Sequence, residues 1–272
     1  MPKYLTKRVD KLYTMSKYEV NMPDKIKVKI SSFVADILEN DALRFGFTKN
    51  AKSNKNALLN KLIPTLVEVR KQRRNDIERI LKDEYNRDDG ERIYNAVNTV
   101  IDQVYFNDEE LNILEEYLWI RPTKDAMTCF DEIQTSEVYI TAQETPVYIR
   151  GLLNEYCRLP QYKREALVFD SELDVFAEAC YTQRILHFKD KGTGNRRKVF
   201  VYDYRYGYLY DQTNYCIIYD INGNLIEAVP LTAISDVYLI KEKYRPSDKL
   251  IEQLRNYAES CEYDRTVEAE EK

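Results

Sequence analysis

The chemistry this chain offers is concentrated in residues 189–198, K-D-K-G-T-G-N-R-R-K. There Lys189, Lys191, Arg196, Arg197 and Lys198 face a single acid, Asp190. The G-T-G-N at 192–195 reads as a hairpin turn, which folds these cations back on one another. Arg184 and His187 precede them and Arg205 follows. Gathered ammonium and guanidinium groups neutralise adjacent phosphates, and arginine also stacks on unpaired bases. The bland alternative is a solvated hairpin with ordinary surface charge. A second cationic row lies in D-K-I-K-V-K-I-S (24–31), where Lys25, Lys27 and Lys29 alternate with Ile26, Val28 and Ile30. Strict alternation predicts a strand with three lysines on one face. They could meet the phosphates of duplex DNA, or simply protect a sheet edge. They lack the Asn, Gln or Arg pairings that read base edges.

Other chemistries find little support. His187 is the sole histidine, and no serine or cysteine nucleophile can be assigned beside it; a polar strand residue is the simplest role. The five cysteines are widely spaced with no C-x-x-C pair, which argues against a zinc or disulfide framework and suits reduced thiols in a cytoplasm. No loop has the spacing of a phosphate-cradling Gly-Lys-Ser/Thr motif. Carboxylates are abundant, but in runs that read as solvated faces. The expectation is a non-enzyme with no cofactor and no metal.

These residues sit on a chain whose charge is unevenly spread. The net charge of −5 hides +9 over residues 1–87, −13 over 88–182, +3 over 183–245 and −4 over 246–272. Two cationic blocks joined by an acidic body point to polyanionic partners. No apolar run is long enough to cross a membrane and no signal-peptide pattern opens the chain, so a cytoplasmic protein is expected.

The elements predicted to carry the sites run as follows. Residues 1–24 read as a basic arm. A strand at 24–31 precedes a helix capped by Ser31 or Ser32 and ended by Gly46. A second helix opens near Ser53, is interrupted or kinked at Pro64, and resumes to about Tyr85. Residues 86–170 read as an acidic, mainly helical spacer, with helices over 89–106, 108–120 and after Pro146, and an ambiguous stretch at 121–145. Trp119 reads as a core or interface residue. A short helix from Ser171 leads into strands with turns at 192–195 and 221–224, and the chain closes on a helix at about 247–260 and a disordered acidic tail. No internal repeat is visible. The tyrosine row Y-D-Y-R-Y-G-Y-L-Y (202–210) has a ring at every second position, which in a strand would share one face.

Two family resemblances follow from these stretches. The unit at 24–63, with K-I-K-V-K-I, Phe45-Gly46-Phe47 and the helix opening near Ser53, resembles a ribbon-helix-helix domain. That resemblance implies a homodimer in which two copies pair their strands antiparallel, with Lys25, Lys27 and Lys29 outward as possible DNA contacts. The segment 171–245 resembles a WYL domain, a small Sm-like β-barrel: S-E-L-D-V-F-A-E-A-C leads into R-I-L-H-F-K, and L-T-A-I-S-D-V-Y-L-I matches the closing pattern. The family's name triplet falls on Asn214-Tyr215-Cys216, of which only the tyrosine agrees, and Pro230 stands where many members have arginine. The resemblance implies that the tyrosine row is mostly barrel wall, with Tyr206, Tyr208 and Tyr210 expected to pair with Tyr215, Ile217 and Tyr219. The domain order is similar to that of the accessory proteins of type VI-D CRISPR systems. It implies an α+β protein that binds single-stranded RNA and enhances an RNA-guided RNase, the effector being its protein partner. The alternative is a dimeric DNA-binding transcriptional regulator with a ligand-sensing WYL domain. On the first reading the RNA contacts would come from Arg184, His187, Lys189, Lys191, Arg196, Arg197, Lys198 and Arg205; on the second, Lys25, Lys27 and Lys29 would meet promoter DNA.

Overall fold

The computed structural model describes residues 25–85, 87–106, 113, 115–135, 145–205 and 213–270. The basic arm and Tyr206, Tyr208 and Tyr210 lie outside them, as does the side chain of Arg205.

The alternating segment forms β1 (Ile26–Ile30), with its isoleucines and valine buried and its lysines exposed. Ser31 caps α1 (Ser32–Arg44) by accepting from the Val34 N–H at 3.3 Å. Gly46, at φ +80°, ends it in a conformation that a side chain would oppose. A small hairpin, β2 (Thr48–Lys49) and β3 (Lys52–Ser53), turns on Asn50 and Ala51, both at positive φ. The next helix, α2 (Lys55–Glu84), is capped by Asn54 rather than Ser53, and Ser53 donates instead to Glu39. It runs continuously through Pro64, so the interruption, one of the two outcomes expected there, does not occur. Leu58, Leu59, Leu62, Ile63, Leu66 and Val67 are buried on both sides of the proline, and packing of this kind outweighs one lost backbone hydrogen bond. α3 (Arg87–Phe106) follows.

The segment expected to be helical over 108–120 instead ends in a strand, β4 (Glu116–Ile120). It pairs antiparallel with β1, from Ile26 opposite Ile120 to Ile30 opposite Glu116. In E-Y-L-W-I the period-two signal wins because β1 has an edge to fill: Leu118 and Ile120 join the core, while Tyr117 and Trp119 stay outside. The two-stranded ribbon is therefore built within one chain. This overturns the expectation that β1 needs a second copy as its partner. It also makes the strand–helix–helix order occur twice, because β4 is followed by α4 (Lys124–Thr135), in the stretch left ambiguous, and α5 (Thr145–Cys157).

α6 (Gln161–Val168) and α7 (Asp170–Thr182) connect this half to the sheet. Buried Asp41 of α1 accepts from the Tyr156 hydroxyl at 2.7 Å and from Arg164 Nε and an Arg164 terminal nitrogen at 2.7 and 3.0 Å. Tyr156 is on α5 and Arg164 on α6, so one carboxylate ties three helices together. Burial, with the Asp41 charge behind it, pushes the Tyr156 phenol well above its ordinary range.

The C-terminal strands are β5 (Arg184–Asp190), β6 (Arg196–Arg205), β7 (Tyr215–Asp220), β8 (Leu225–Pro230) and β9 (Ile234–Lys243). They form one antiparallel sheet in the order β8-β7-β6-β5-β9. The sheet is not closed: β8 and β9 are its two edges, where a closed barrel was expected. Instead of a strand-to-strand seam, α8 (Asp248–Glu270) covers one face near β7 and β8. Its Leu254 and Ala258 pack on Phe200 and Ile217 in a core of their own. The helix continues past residue 260 through the stretch expected to be a disordered tail. β7 is flanked by β6 and β8, with Tyr215, Ile217 and Tyr219 opposite Arg205, Asp203 and Phe200 on β6; the row 206–210 that was expected opposite them lies outside the described residues. The other face of the sheet packs Phe188, Val199 and Val201 with Phe176 of α7, in a buried cluster continuous with the ribbon and α2.

Candidate nucleic-acid interface

The register of β5 and β6 sorts the cations by face. His187 lies opposite Lys198 and Lys189 opposite Arg196, so these four share one face. Arg197 lies opposite Phe188, on the face turned to the core. β9 brings Tyr238 beside His187, their rings stacked at 5.3 Å between centroids and 28° between planes. Arg196 lies over the same tyrosine, 5.6 Å from its centroid. The result is a ladder of exposed guanidinium and phenol over a partly buried imidazole, bordered by Lys189 and Lys198, on the half of the sheet face that α8 leaves open.

The acids around this ladder come from β9, invisible in the hairpin sequence itself. Lys198 Nζ is 2.9 Å from Glu242, and Arg196 is 3.9 Å from Asp236. Both carboxylates are mostly exposed, and exposed pairs of this kind contribute roughly 0–1 kcal/mol, so a phosphate can compete for either cation. Partial burial, followed by the charges of Lys198 and Arg196, holds the His187 imidazole below its ordinary pKa, with Glu242 acting the other way.

Three of the remaining cations, Arg197, Arg184 and Lys191, are tied into the fold. Arg197 pairs with Asp220 at 2.8 Å and with Glu227, lies 4.0 Å from Asp190, and covers the Phe188 ring at 5.5 Å. Its hydrogen bond to Glu227 raises its pKa further. Arg184 donates from Nε to the Ile240 carbonyl and pairs with Glu178 at 2.8 Å. Lys191 donates to the Thr232 carbonyl at 2.9 Å, and burial lowers its pKa, reinforced by the charge of Lys61. Arg205 ends β6 opposite Tyr215. Asn214, just before β7, is buried; its N–H and side-chain amide donate to Glu165, at 2.8 and 2.7 Å, pinning β7 to α6.

Lys25, Lys27 and Lys29 lie on the exposed face of the ribbon, as their alternation requires. Opposite them stand Tyr117 and Trp119, 54% and 53% exposed. Trp119 is therefore a surface residue, which overturns the core position, one of the two roles expected for it.

No family model and no curated protein matches this sequence. Among solved structures, the fold is similar to one described as the crystal structure of a CRISPR Cas-related protein. That match has a TM-score of 0.61 at 13% identity and covers 86% of this chain and 66% of that one. The likeness is one of fold. A second match, the proteasome accessory factor B/C (PafBC) of Arthrobacter aurescens, has a TM-score of 0.27 at 11% identity, covering 48% of this chain and 23% of that one, too weak to carry an argument.

Two features of the site were missed in the sequence. Tyr238 could have been found by pairing I-S-D-V-Y-L-I with R-I-L-H-F-K, since antiparallel alternation puts a tyrosine beside His187. Tyr117 and Trp119 were hidden by a helical reading of the segment that carries them. Among the described residues, no helix is long and apolar enough to cross a membrane.

Proposed function

We propose that this chain is a nucleic-acid-binding regulatory protein that takes up single-stranded RNA on the open half of its C-terminal sheet and enhances an RNA-guided RNase of the type VI-D CRISPR kind. The carrying observation is the ladder of Arg196, Tyr238 and His187 flanked by Lys189 and Lys198. Cations hold the phosphates while ring and guanidinium planes accept bases that are unpaired, a combination that suits a single strand. Supporting it, the fold is similar to that of a CRISPR Cas-related protein. The sheet that follows α7 supports the WYL reading, and the ribbon with its two strand–helix–helix units supports the ribbon-helix-helix reading. The chain acts in this proposal by binding and has no catalytic residues. Homodimerisation is proposed with it, through a surface other than the edge of β1 that β4 occupies.

A second reading, a DNA-binding transcriptional regulator, draws on the row of Lys25, Lys27 and Lys29 along the ribbon. Fluorescence anisotropy with labelled single-stranded RNA and with duplex DNA separates the two. The first reading expects RNA to bind more tightly, and the chain to raise target-RNA cleavage when added to a type VI-D effector. Preference for duplex DNA with no effect on cleavage would overturn it.

A further inference from the structure

The ribbon has one buried face, formed by Ile26, Val28, Ile30, Leu118 and Ile120. Its other face carries Lys25, Lys27 and Lys29 on β1 and Tyr117 and Trp119 on β4, with Arg121 just beyond. Lys27 lies opposite Trp119 and Lys29 opposite Tyr117. The Lys27 ammonium is 3.8 Å from the centroid of the Tyr117 ring and 5.2 Å from that of Trp119, and the Lys29 ammonium is 6.0 Å from Tyr117. Lys25, Lys27, Lys29 and Arg121 form no ion pair with a described residue. Two large rings are thus half exposed amid four cations, of which Lys27 and Lys29 lie against the rings. Glu115 and Glu116, both exposed, close the Tyr117 end, so the positive potential grows toward Lys25 and Arg121.

We propose that this face is a second contact for single-stranded nucleic acid, in which Tyr117 and Trp119 stack on bases and Lys25, Lys27, Lys29 and Arg121 hold the flanking phosphates. Charge complementarity selects an anionic partner, and the exposed rings select one whose flat apolar faces are accessible. In a duplex those faces are hidden in the stack and only base edges line the grooves, which hydrogen-bonding side chains read. Tyr117 and Trp119 occupy the positions from which such side chains would have to reach. The ribbon is a different surface from the open half of the sheet, and either can bind without the other.

Trp119 is the sole tryptophan, so its emission reports on this face alone. The chain is titrated with oligouridylate and oligothymidylate of about twenty nucleotides, long enough to cover one binding site, and with a duplex of equal length. Emission and anisotropy are followed together. The expected result is quenching that saturates in step with anisotropy for one or both single strands, and is weaker for the duplex. Replacing Tyr117 with alanine is expected to weaken binding roughly ten-fold, and replacing it with phenylalanine to restore most of it. Preference for uridylate over thymidylate would assign the face to RNA, and equal quenching to single strands of either sugar. Anisotropy that rises while Trp119 emission stays constant would overturn the ribbon proposal and leave the sheet face as the site. Quenching by the duplex in preference to the single strands would also overturn it.

Discussion

His187 stacks on Tyr238 with its Nε2 enclosed and without a hydrogen-bond partner among the described residues, beside Lys198 and Arg196. Burial and these cations both disfavour the imidazolium, so its folded-state pKa lies below the ordinary value of about 6.5. The unfolded chain therefore holds this proton more tightly. Stability rises with pH up to about 6.5 and is withdrawn as pH falls through that window. Bound phosphate reverses the local field. Because His187 is the only histidine, one imidazole resonance in an NMR titration reports it without ambiguity. The midpoint is expected below 6.5 in the chain alone and higher with single-stranded RNA present. An unchanged midpoint under saturating RNA would place the binding site away from this face. At the same scale, Arg197 shows what residue type alone leaves open. It is as basic as Arg196 and adjacent to it, yet alternation sends it to the core face, where Asp220 and Glu227 hold it.

The ribbon, as an element, is positioned by two asparagines one turn apart on α2. Asn56 accepts from the Arg121 N–H at 2.7 Å and donates to the Arg121 carbonyl at 3.3 Å. Asn60 donates to that same carbonyl at 2.9 Å and accepts from the Thr123 N–H at 2.7 Å. Four hydrogen bonds at a partly exposed seam contribute about 2 kcal/mol together. Replacing both asparagines with alanine is expected to lower unfolding stability by that amount and to speed amide exchange at Arg121 and Thr123. Unchanged exchange there would mean that the clamp is not what fixes the end of β4. Elements were legible where a local signal and a packing need agreed, as in β1, α1, α3 and the 192–195 and 221–224 hairpins. They were misread where the deciding partner was remote. β4 follows from an open edge on β1 about 90 residues earlier, and the continuity of α2 through Pro64 from leucines packed on both sides of it. The open sheet follows from α8, whose apolar residues cover Phe200 and Ile217.

Across the whole molecule, an acidic stretch separates two cationic ones, and the fold turns each cationic stretch into a surface. The ribbon displays the first beside Tyr117 and Trp119, and the sheet displays the second beside Tyr238. Aromatic partners distinguish both surfaces from scattered charge. They were the part of the site least visible in sequence, because each is supplied by a strand other than the one that carries the cations. The most direct test of RNA binding on the open half of the sheet measures RNA affinity by anisotropy across salt concentrations. It compares the native chain with a variant in which Lys189, Arg196 and Lys198 are all alanine. These three are exposed or only partly buried and leave the Arg197 network intact, so the variant is expected to fold. If the three cations each neutralise a phosphate, affinity falls at every salt concentration, and the slope of log affinity against log salt shrinks by about 2. Equal affinity and an unchanged slope in the two proteins would contradict the assignment of RNA binding to this face.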